Sequence, residues 1–145
     1  MFERILVAVD SAPTRMSAIE LAGGLARLTN AEIKVLHIIT TAVSGNASVT
    51  TEDDATARGV LEETLSVLRG MDVKAEGELM RGLTTQVAQA VSTAAEQFGA
   101  DLLVVSPHHR GSLAALFNPR VSDAVAHASR IPVLLAPTDD TSRKG

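Results

Sequence analysis

The side chains that could bind a small molecule fall mainly in two polar turns, each of which follows a short apolar run. In chain order these residues are Asp10, Ser11, Ala12, Pro13, Ser106, His109, Arg110, Pro119 and Arg120. Arg110 and Arg120 could hold a phosphate group through their guanidinium groups, because arginine forms paired hydrogen bonds with phosphate oxygens. The alternative is that both arginines are solvated, one in a loop and the other in an exposed helix turn.

Three histidines offer a second kind of chemistry. His108 and His109 could act as metal ligands or acid–base groups, but adjacent loop residues rarely both face one metal ion, and no acidic partner stands near them. A solvated or interface role is the better interpretation, and no metal site is predicted. His37 lies in an apolar run, where it either packs in the core or lines a groove.

The sequence carries no recognisable catalytic motif. It contains neither Gly-x-Ser-x-Gly nor His-Glu-x-x-His, and it has no cysteine that could serve as a nucleophile. No catalytic residue is therefore assigned. A non-enzymatic role is favoured, although a missing motif does not exclude catalysis.

Composition excludes several classes of partner. The net charge is −4, and the only aromatic residues are Phe2, Phe98 and Phe117, so a basic or base-stacking nucleic-acid surface is not expected. The apolar runs are far shorter than the roughly 20 residues that span a membrane. The amino-terminal residues lack the basic leader and long apolar core of a signal peptide. We expect a cytoplasmic protein that binds neither nucleic acid nor membrane.

Short apolar runs alternate with longer segments of helical periodicity. Strands are predicted at residues 5–9, 33–39, 73–80, 101–105 and 131–136, and helices at residues 16–28, 52–70, 87–95 and 119–128. Thr29 and Asn30 are expected to close the first helix. The segments Thr40–Thr51 and Ser106–Asn118 are predicted loops, and Arg81–Thr84 is a predicted turn.

This alternation predicts a single doubly wound, Rossmann-like α/β domain over residues 1–137, followed by a polar tail over 138–145. The expected sheet has five mostly parallel strands in the order 3-2-1-4-5, with helices on both faces. Ligands of such folds bind at the carboxyl ends of the strands, where the strand order reverses. The predicted crevice therefore lies between strands one and four, at Asp10 and Ser106.

Several segments together resemble the universal stress protein family, and they span nearly the whole chain in the right order. They are Ile5–Asp10 with Pro13, Ser17 and Ala18, then Arg81–Gly82, Ala100–Val105, Val121–Val125 and Ile131–Leu135. The resemblance implies that Asp10 matches a position that binds the ribose or the adenine edge of a nucleotide. From the residues alone, Asp10 is equally suited to capping the first helix.

Members of the resembled family that bind ATP carry Gly-x-x-Gly, nine further residues, and then Gly followed by Ser or Thr. Those four positions fall here on Ser106, His109, Pro119 and Arg120. Glycines let the backbone approach phosphate closely, and proline has no N–H to donate. Asn118 can cap the helix that Pro119 begins. Its side chain would then bond an N–H group at the helix start that could otherwise bind an anion. The resemblance therefore points to the UspA-like branch that lacks this motif and carries a similar His-His pair.

The last apolar run bears on assembly. It contains Ile131, Pro132, Val133, Leu134 and Leu135, and as a sheet edge it would present unpaired backbone groups. In the resembled family the last strand pairs with its counterpart in a two-fold dimer. We therefore expect a homodimeric stress-response protein with a regulatory or protective role, which could act on a protein partner and needs no cofactor. The alternative is a sensor or slow hydrolase whose groove holds an ATP- or AMP-type nucleotide with Mg²⁺, or another small anionic metabolite.

Overall fold

A computed structural model of the chain describes residues 2–10, 15–44, 47–50, 54–83, 86–105 and 131–136. Within these residues the strands are β1 (Arg4–Val9), β2 (Glu32–Ser44), β3 (Ala47–Thr50), β4 (Ala75–Leu83), β5 (Leu102–Val105) and β6 (Val133–Leu135). The helices of the same part of the chain are α1 (Arg15–Thr29), α2 (Asp54–Gly70) and α3 (Val87–Phe98). The alternation of strands and helices agrees with the α/β class that the sequence predicts.

Five of the strands form a parallel sheet in the order β4-β2-β1-β5-β6. Counted along the parallel strands, this is the predicted order 3-2-1-4-5. β3 is an addition, because it pairs antiparallel with the last residues of β2.

β1 occupies the centre of the sheet and is covered on both faces. Ile5 and Val7 belong to the apolar cluster that contains residues of α1 and α2. Leu6 and Ala8 belong to the cluster on the other face, which contains residues of α3. All residues from Ile5 to Val9 are fully buried. A strand that is apolar at every position is the expected sequence for such a place, and helices do lie on both faces of the sheet.

The amino ends of β1 and β5 are held together by polar contacts. The Asp101 carboxylate accepts hydrogen bonds from the backbone N–H groups of Glu3 and Arg4, at 2.8 and 3.1 Å. The Arg4 guanidinium in turn donates to the carbonyl of Phe98, at 2.9 Å. These bonds join the amino ends of two strands that pair in parallel from Ile5 and Leu102 onward.

Helix ends follow local chemistry. α1 ends at Thr29 and is followed by Asn30 with φ 63°, so the predicted closure at these two residues is confirmed. α3 is followed by Gly99 with φ 72°, a left-handed conformation that glycine adopts without strain. Both helices thus stop at the residues that lead into the next strand.

The prediction of a loop over Thr40–Thr51 is wrong for its described residues. β2 continues to Ser44, and β3 forms from Ala47 to Thr50. Threonine and valine favour strands, and Gly45-Asn46 between two such runs is a hairpin signal that the small polar composition obscured.

The predicted turn at Arg81–Thr84 is also wrong for its described residues, because β4 continues to Leu83. An edge strand pairs on one side only, so it tolerates Arg81 and Gly82. The loop predicted over Ser106–Asn118, the helix over 119–128 and the tail over 138–145 lie outside the described residues.

Candidate functional site

The carboxyl end of the sheet brings together the ends of β1, β2 and β5. Val9 lies level with His37 of β2, and Ala8 lies level with Val105 of β5. The chain leaves β1 toward β2 on one side, while β5 lies on the other side. This is the reversal of strand order at which ligands of doubly wound sheets bind.

Two residues predicted for the crevice lie at this end and are buried. Asp10 directly follows β1 and is 5% exposed. His37 is fully buried in β2, and the alternation of that strand gives it the face of Ile33 and Val35, which α1 and α2 cover. His37 is thus buried at this end of the sheet, and its place among the residues of the crevice stays a prediction.

Arg15 is a residue of this region that sequence analysis did not single out. It begins α1, its side chain is only 10% exposed, and its Nη2 lies 3.5 Å from Oε1 of Glu63 in α2. A cation in the first turn of a helix opposes the helix dipole, so it calls for a nearby anion. That unfavourable position was the signal in the sequence that could have drawn attention to Arg15.

The β2–β3 hairpin forms a wall beside the crevice. Thr41 is paired with Leu83 of β4 and also with Thr50 of β3, so β3 must lie on the opposite side of β2 from β4. That is the side on which β1 runs as far as Val9, level with His37. The backbone of β3 therefore occupies the space beyond the carboxyl end of β1, close to Asp10.

Most of the remaining predicted crevice residues lie outside the described residues. They are Ser11, Ala12, Pro13, Ser106, His109, Arg110, Pro119 and Arg120. The two segments that contain them leave the carboxyl ends of β1 and β5. The described strand ends are thus brought together as predicted, while the positions of these eight side chains stay predictions.

The predicted assembly surface lies at one side edge of the sheet. β6 pairs with β5, and no described strand pairs with its other side. Ile131, Val133 and Leu134 are half-buried, Pro132 is exposed, and Leu135 is 49% exposed. Apolar side chains and backbone groups therefore reach the surface together along this edge.

A cleft of about 490 Å³ lies at the opposite, amino end of the sheet, beside the end of α1. Its lining includes Arg27, Lys74, Glu32 and Asp72, so charges of both signs surround it. This mixture does not select an anion, which sets the cleft apart from the carboxyl-end crevice.

Among the described residues, no three potential metal-ligating side chains are grouped. No described helix is long and apolar enough to cross a membrane.

Comparison with known proteins agrees with this geometry. The model of the universal stress protein family matches residues 1–137. The chain belongs to this family. One relative of this universal stress protein is YxiE of Bacillus subtilis (strain 168), which is 28% identical over 146 residues, covering 93% of this chain and 99% of the relative.

Solved universal stress protein structures share the fold. One from Burkholderia pseudomallei is 22% identical with a TM-score of 0.69, and the match covers 94% of this chain and 96% of that one. Another, from Archaeoglobus fulgidus in complex with dAMP, is 21% identical with a TM-score of 0.65, covering 92% and 96%. At these identities the likeness establishes the fold alone.

Proposed function

We propose that this universal stress protein is a stress-response regulator of the cytoplasm that acts as a homodimer on a protein partner. The observation that carries the proposal is the apolar edge of β6, where Leu135 is half-exposed and no described strand pairs on the outer side. Two copies related by a two-fold axis would pair these edges and bury their apolar side chains.

The proposal includes the loss of standard ATP binding. Where ATP-binding members of the family have three glycines and a hydroxyl residue, this sequence has Ser106, His109, Pro119 and Arg120. Side chains at the first two positions obstruct a close approach of the backbone to phosphate. Pro119 lacks an N–H, so one donor to phosphate is lost. The chain shares the family and the fold of the ATP-binding members, but its sequence still lacks these donors to phosphate.

A second candidate function is supported by the carboxyl end of the sheet. Asp10 is buried next to the reversal of strand order, and the Archaeoglobus fulgidus relative of the same fold was solved with dAMP. Arg110 and Arg120 could replace the missing backbone donors with side-chain ones. In this case the protein would be a sensor or slow hydrolase of an adenine nucleotide or another small anionic metabolite.

Calorimetric titration with ATP and Mg²⁺, and separately with AMP, tests the two candidates. No heat of binding with either nucleotide supports the regulator without a cofactor. Micromolar binding that is lost in Arg110→Ala supports the second candidate. Light scattering coupled to size exclusion measures the dimer in the same samples, so assembly is tested independently of the nucleotide.

A gain-of-binding variant tests the reason for the loss. The triple substitution His109→Gly, Pro119→Gly and Arg120→Ser restores two glycines and the hydroxyl position. We expect ATP affinity to rise by about tenfold or more, since each donor that reaches a phosphate is charge-assisted. Leu28→Ala, on the exposed surface of α1, is the control that leaves the loop unchanged. No gain would show that the account of this loop is wrong.

A further inference from the structure

The opposite edge of the sheet, formed by β4, has the properties of a peptide-binding strand. β4 pairs with β2 over nine residues, Ala75 to Leu83, and no described strand pairs with its other side. None of its nine residues is buried. An exposed strand edge of this length can accept a further strand, because its outward N–H and C=O groups form a ready-made ladder.

The register shows which backbone groups point outward. The N–H of Ile33 donates to the carbonyl of Lys74, at 2.9 Å, and Ile33 is level with Ala75. In a parallel ladder, the residues of one strand alternate between the two sides. The even-numbered residues of β4 therefore bond to β2, while the N–H and C=O groups of Ala75, Gly77, Leu79, Arg81 and Leu83 point away from it.

The two ends of this outward row are closed by side chains. The carbonyl of Ala75 accepts a hydrogen bond from Nη2 of Arg69, at 3.2 Å. The N–H of Leu83 donates to Oε1 of Gln86, at 3.0 Å. Gly77 and Leu79, in the middle, have no such partner among the described residues. The open part of the edge is thus a short central stretch of β4.

On one face of β4 the strand's own charged side chains are acidic, while Arg81 belongs to the other face. Glu76 and Glu78 flank Gly77 and project from the same face of the strand. Glu78 pairs with Lys34 of the neighbouring β2, at 2.9 Å, which shows that this face accepts a cation from an adjacent strand. Glu76 is exposed and has no ion pair within the described residues. A strand added on the outer side could supply the cation for Glu76.

We propose that the outer edge of β4 binds an extended segment of a protein partner that carries lysine or arginine at alternate positions. Backbone hydrogen bonds to Gly77 and Leu79 would hold the segment, and its basic side chains would face Glu76 and Glu78. The proposal depends neither on a nucleotide nor on the β6 dimer, although it names the kind of partner on which such a regulator would act.

A second copy of this chain fits the edge less well. Antiparallel pairing about a two-fold axis that uses Gly77 and Leu79 equally places Glu78 opposite Glu78. Like charges directly opposite each other destabilise a strand pair. A basic segment has the complementary charge, which is the reason for choosing it as the occupant.

The test uses two labelled, end-capped peptides of eight residues, one alternating valine with lysine and the other alternating valine with glutamate. Fluorescence anisotropy gives the affinities at low salt. We expect the lysine peptide to bind and the glutamate peptide to show no binding. Glu76→Gln should weaken binding about two- to fivefold, the effect of one cross-strand charge pair. Glu62→Gln, on the exposed surface of α2, has the same charge change and should leave the affinity unchanged.

A proline substitution tests the backbone part of the proposal. Leu79→Pro removes an N–H that points away from β2, so the existing ladder stays intact. We expect it to weaken binding of the lysine peptide by about tenfold or more, because the added strand loses a hydrogen bond and meets the proline ring. Leu79→Ala also shortens the side chain but keeps the N–H, so it should bind the peptide as well as the unmodified protein does. Circular dichroism verifies that both variants fold.

Amide hydrogen exchange of the unmodified protein locates the peptide even if Leu79→Pro does not fold. Added lysine peptide should slow exchange at Gly77 and Leu79. Equal binding of the two peptides, equal effects of Glu76→Gln and Glu62→Gln, or protection confined to β6 would each overturn the proposal.

Discussion

β4 and β6 are the two side edges of the same sheet, and they differ in length and chemistry. β4 has nine residues, with Glu76, Glu78 and Arg81 exposed along it. β6 has three residues, all apolar, and its Leu135 is half-exposed. Charged side chains discourage an edge from pairing with a copy of itself, and the apolar edge of β6 carries no such charges.

This contrast indicates which partner each edge can accept. An apolar edge can pair with an identical edge across a two-fold axis, because no charge is brought against its like. An acidic edge selects a basic strand and rejects its own copy. One sheet could therefore use β6 for assembly and β4 for recognition, and the following predictions test whether the two edges are as different as their side chains suggest.

The largest effect is expected at β6. Leu135→Asp would place a carboxylate from each subunit into the paired edge, where burial without a partner is costly. We expect dimerisation to weaken by about 100-fold, which corresponds to roughly 3 kcal/mol. Light scattering over a dilution series measures the change.

The control for this substitution is Leu28→Asp. Leu28 is 85% exposed on α1, away from both edges, and receives the same change of charge. It should leave the dimer intact. Equal dissociation by the two variants, or an undisturbed Leu135→Asp dimer, would contradict assembly through β6.

A smaller effect, on stability, is expected at β4. A Cβ on Gly77 would lie 2.7 Å from Cδ1 of Leu61 and 3.1 Å from Cδ1 of Leu65, two buried residues of α2. Gly77→Val should therefore lower the free energy of unfolding by about 1–3 kcal/mol, the usual cost of overpacking. Urea denaturation measures it.

Gly59→Ala is the matched control in α2, because a Cβ there meets nothing within 4 Å. It should raise stability by up to about 1 kcal/mol, since alanine favours helix more than glycine does. If Gly77→Val were neutral, Leu61 and Leu65 of α2 would not pack as closely against Gly77 as the structure shows.

Strong local patterns made most of the fold predictable. The run Ile5–Val9 is apolar at every position, which is the pattern of a strand covered on both faces, and the structure buries all of it. The alternation of apolar and polar residues in 73–80 is typical of an edge or half-exposed strand, and β4 lies at an edge of the sheet. The doubly wound fold followed from the βα alternation and the handedness of its crossovers, and the expected strand order 3-2-1-4-5 is confirmed.

Predictions failed where composition and tertiary pairing pointed in different directions. The small polar residues of Thr40–Thr51 suggested a loop, yet pairing with neighbouring strands keeps part of the segment extended. Arg15 was overlooked because its role depends on Glu63, which lies 48 residues further along the chain and is brought near by the packing of α1 against α2. No local pattern encodes such a contact.

The smallest effect on stability is expected at Lys34, the residue of β2 that pairs with Glu78 of the β4 edge. Its Nζ lies 2.9 Å from Glu78 and 5.9 Å from the centroid of the Phe98 ring. Lys34→Met should change the unfolding free energy by less than about 1 kcal/mol, because the Glu78 side chain is 45% exposed and solvent weakens the pair. The same variant should bind the lysine peptide about two- to fivefold more tightly, since Glu78 becomes available to it. Arg4→Met is the control, because Arg4 lies over the same ring, at 5.8 Å, but bonds to the carbonyl of Phe98 rather than to Glu78. If both variants raised peptide affinity equally, the gain would come from the change in net charge and not from Glu78. The proposal that the acidic edge of β4 selects a basic strand would then be wrong.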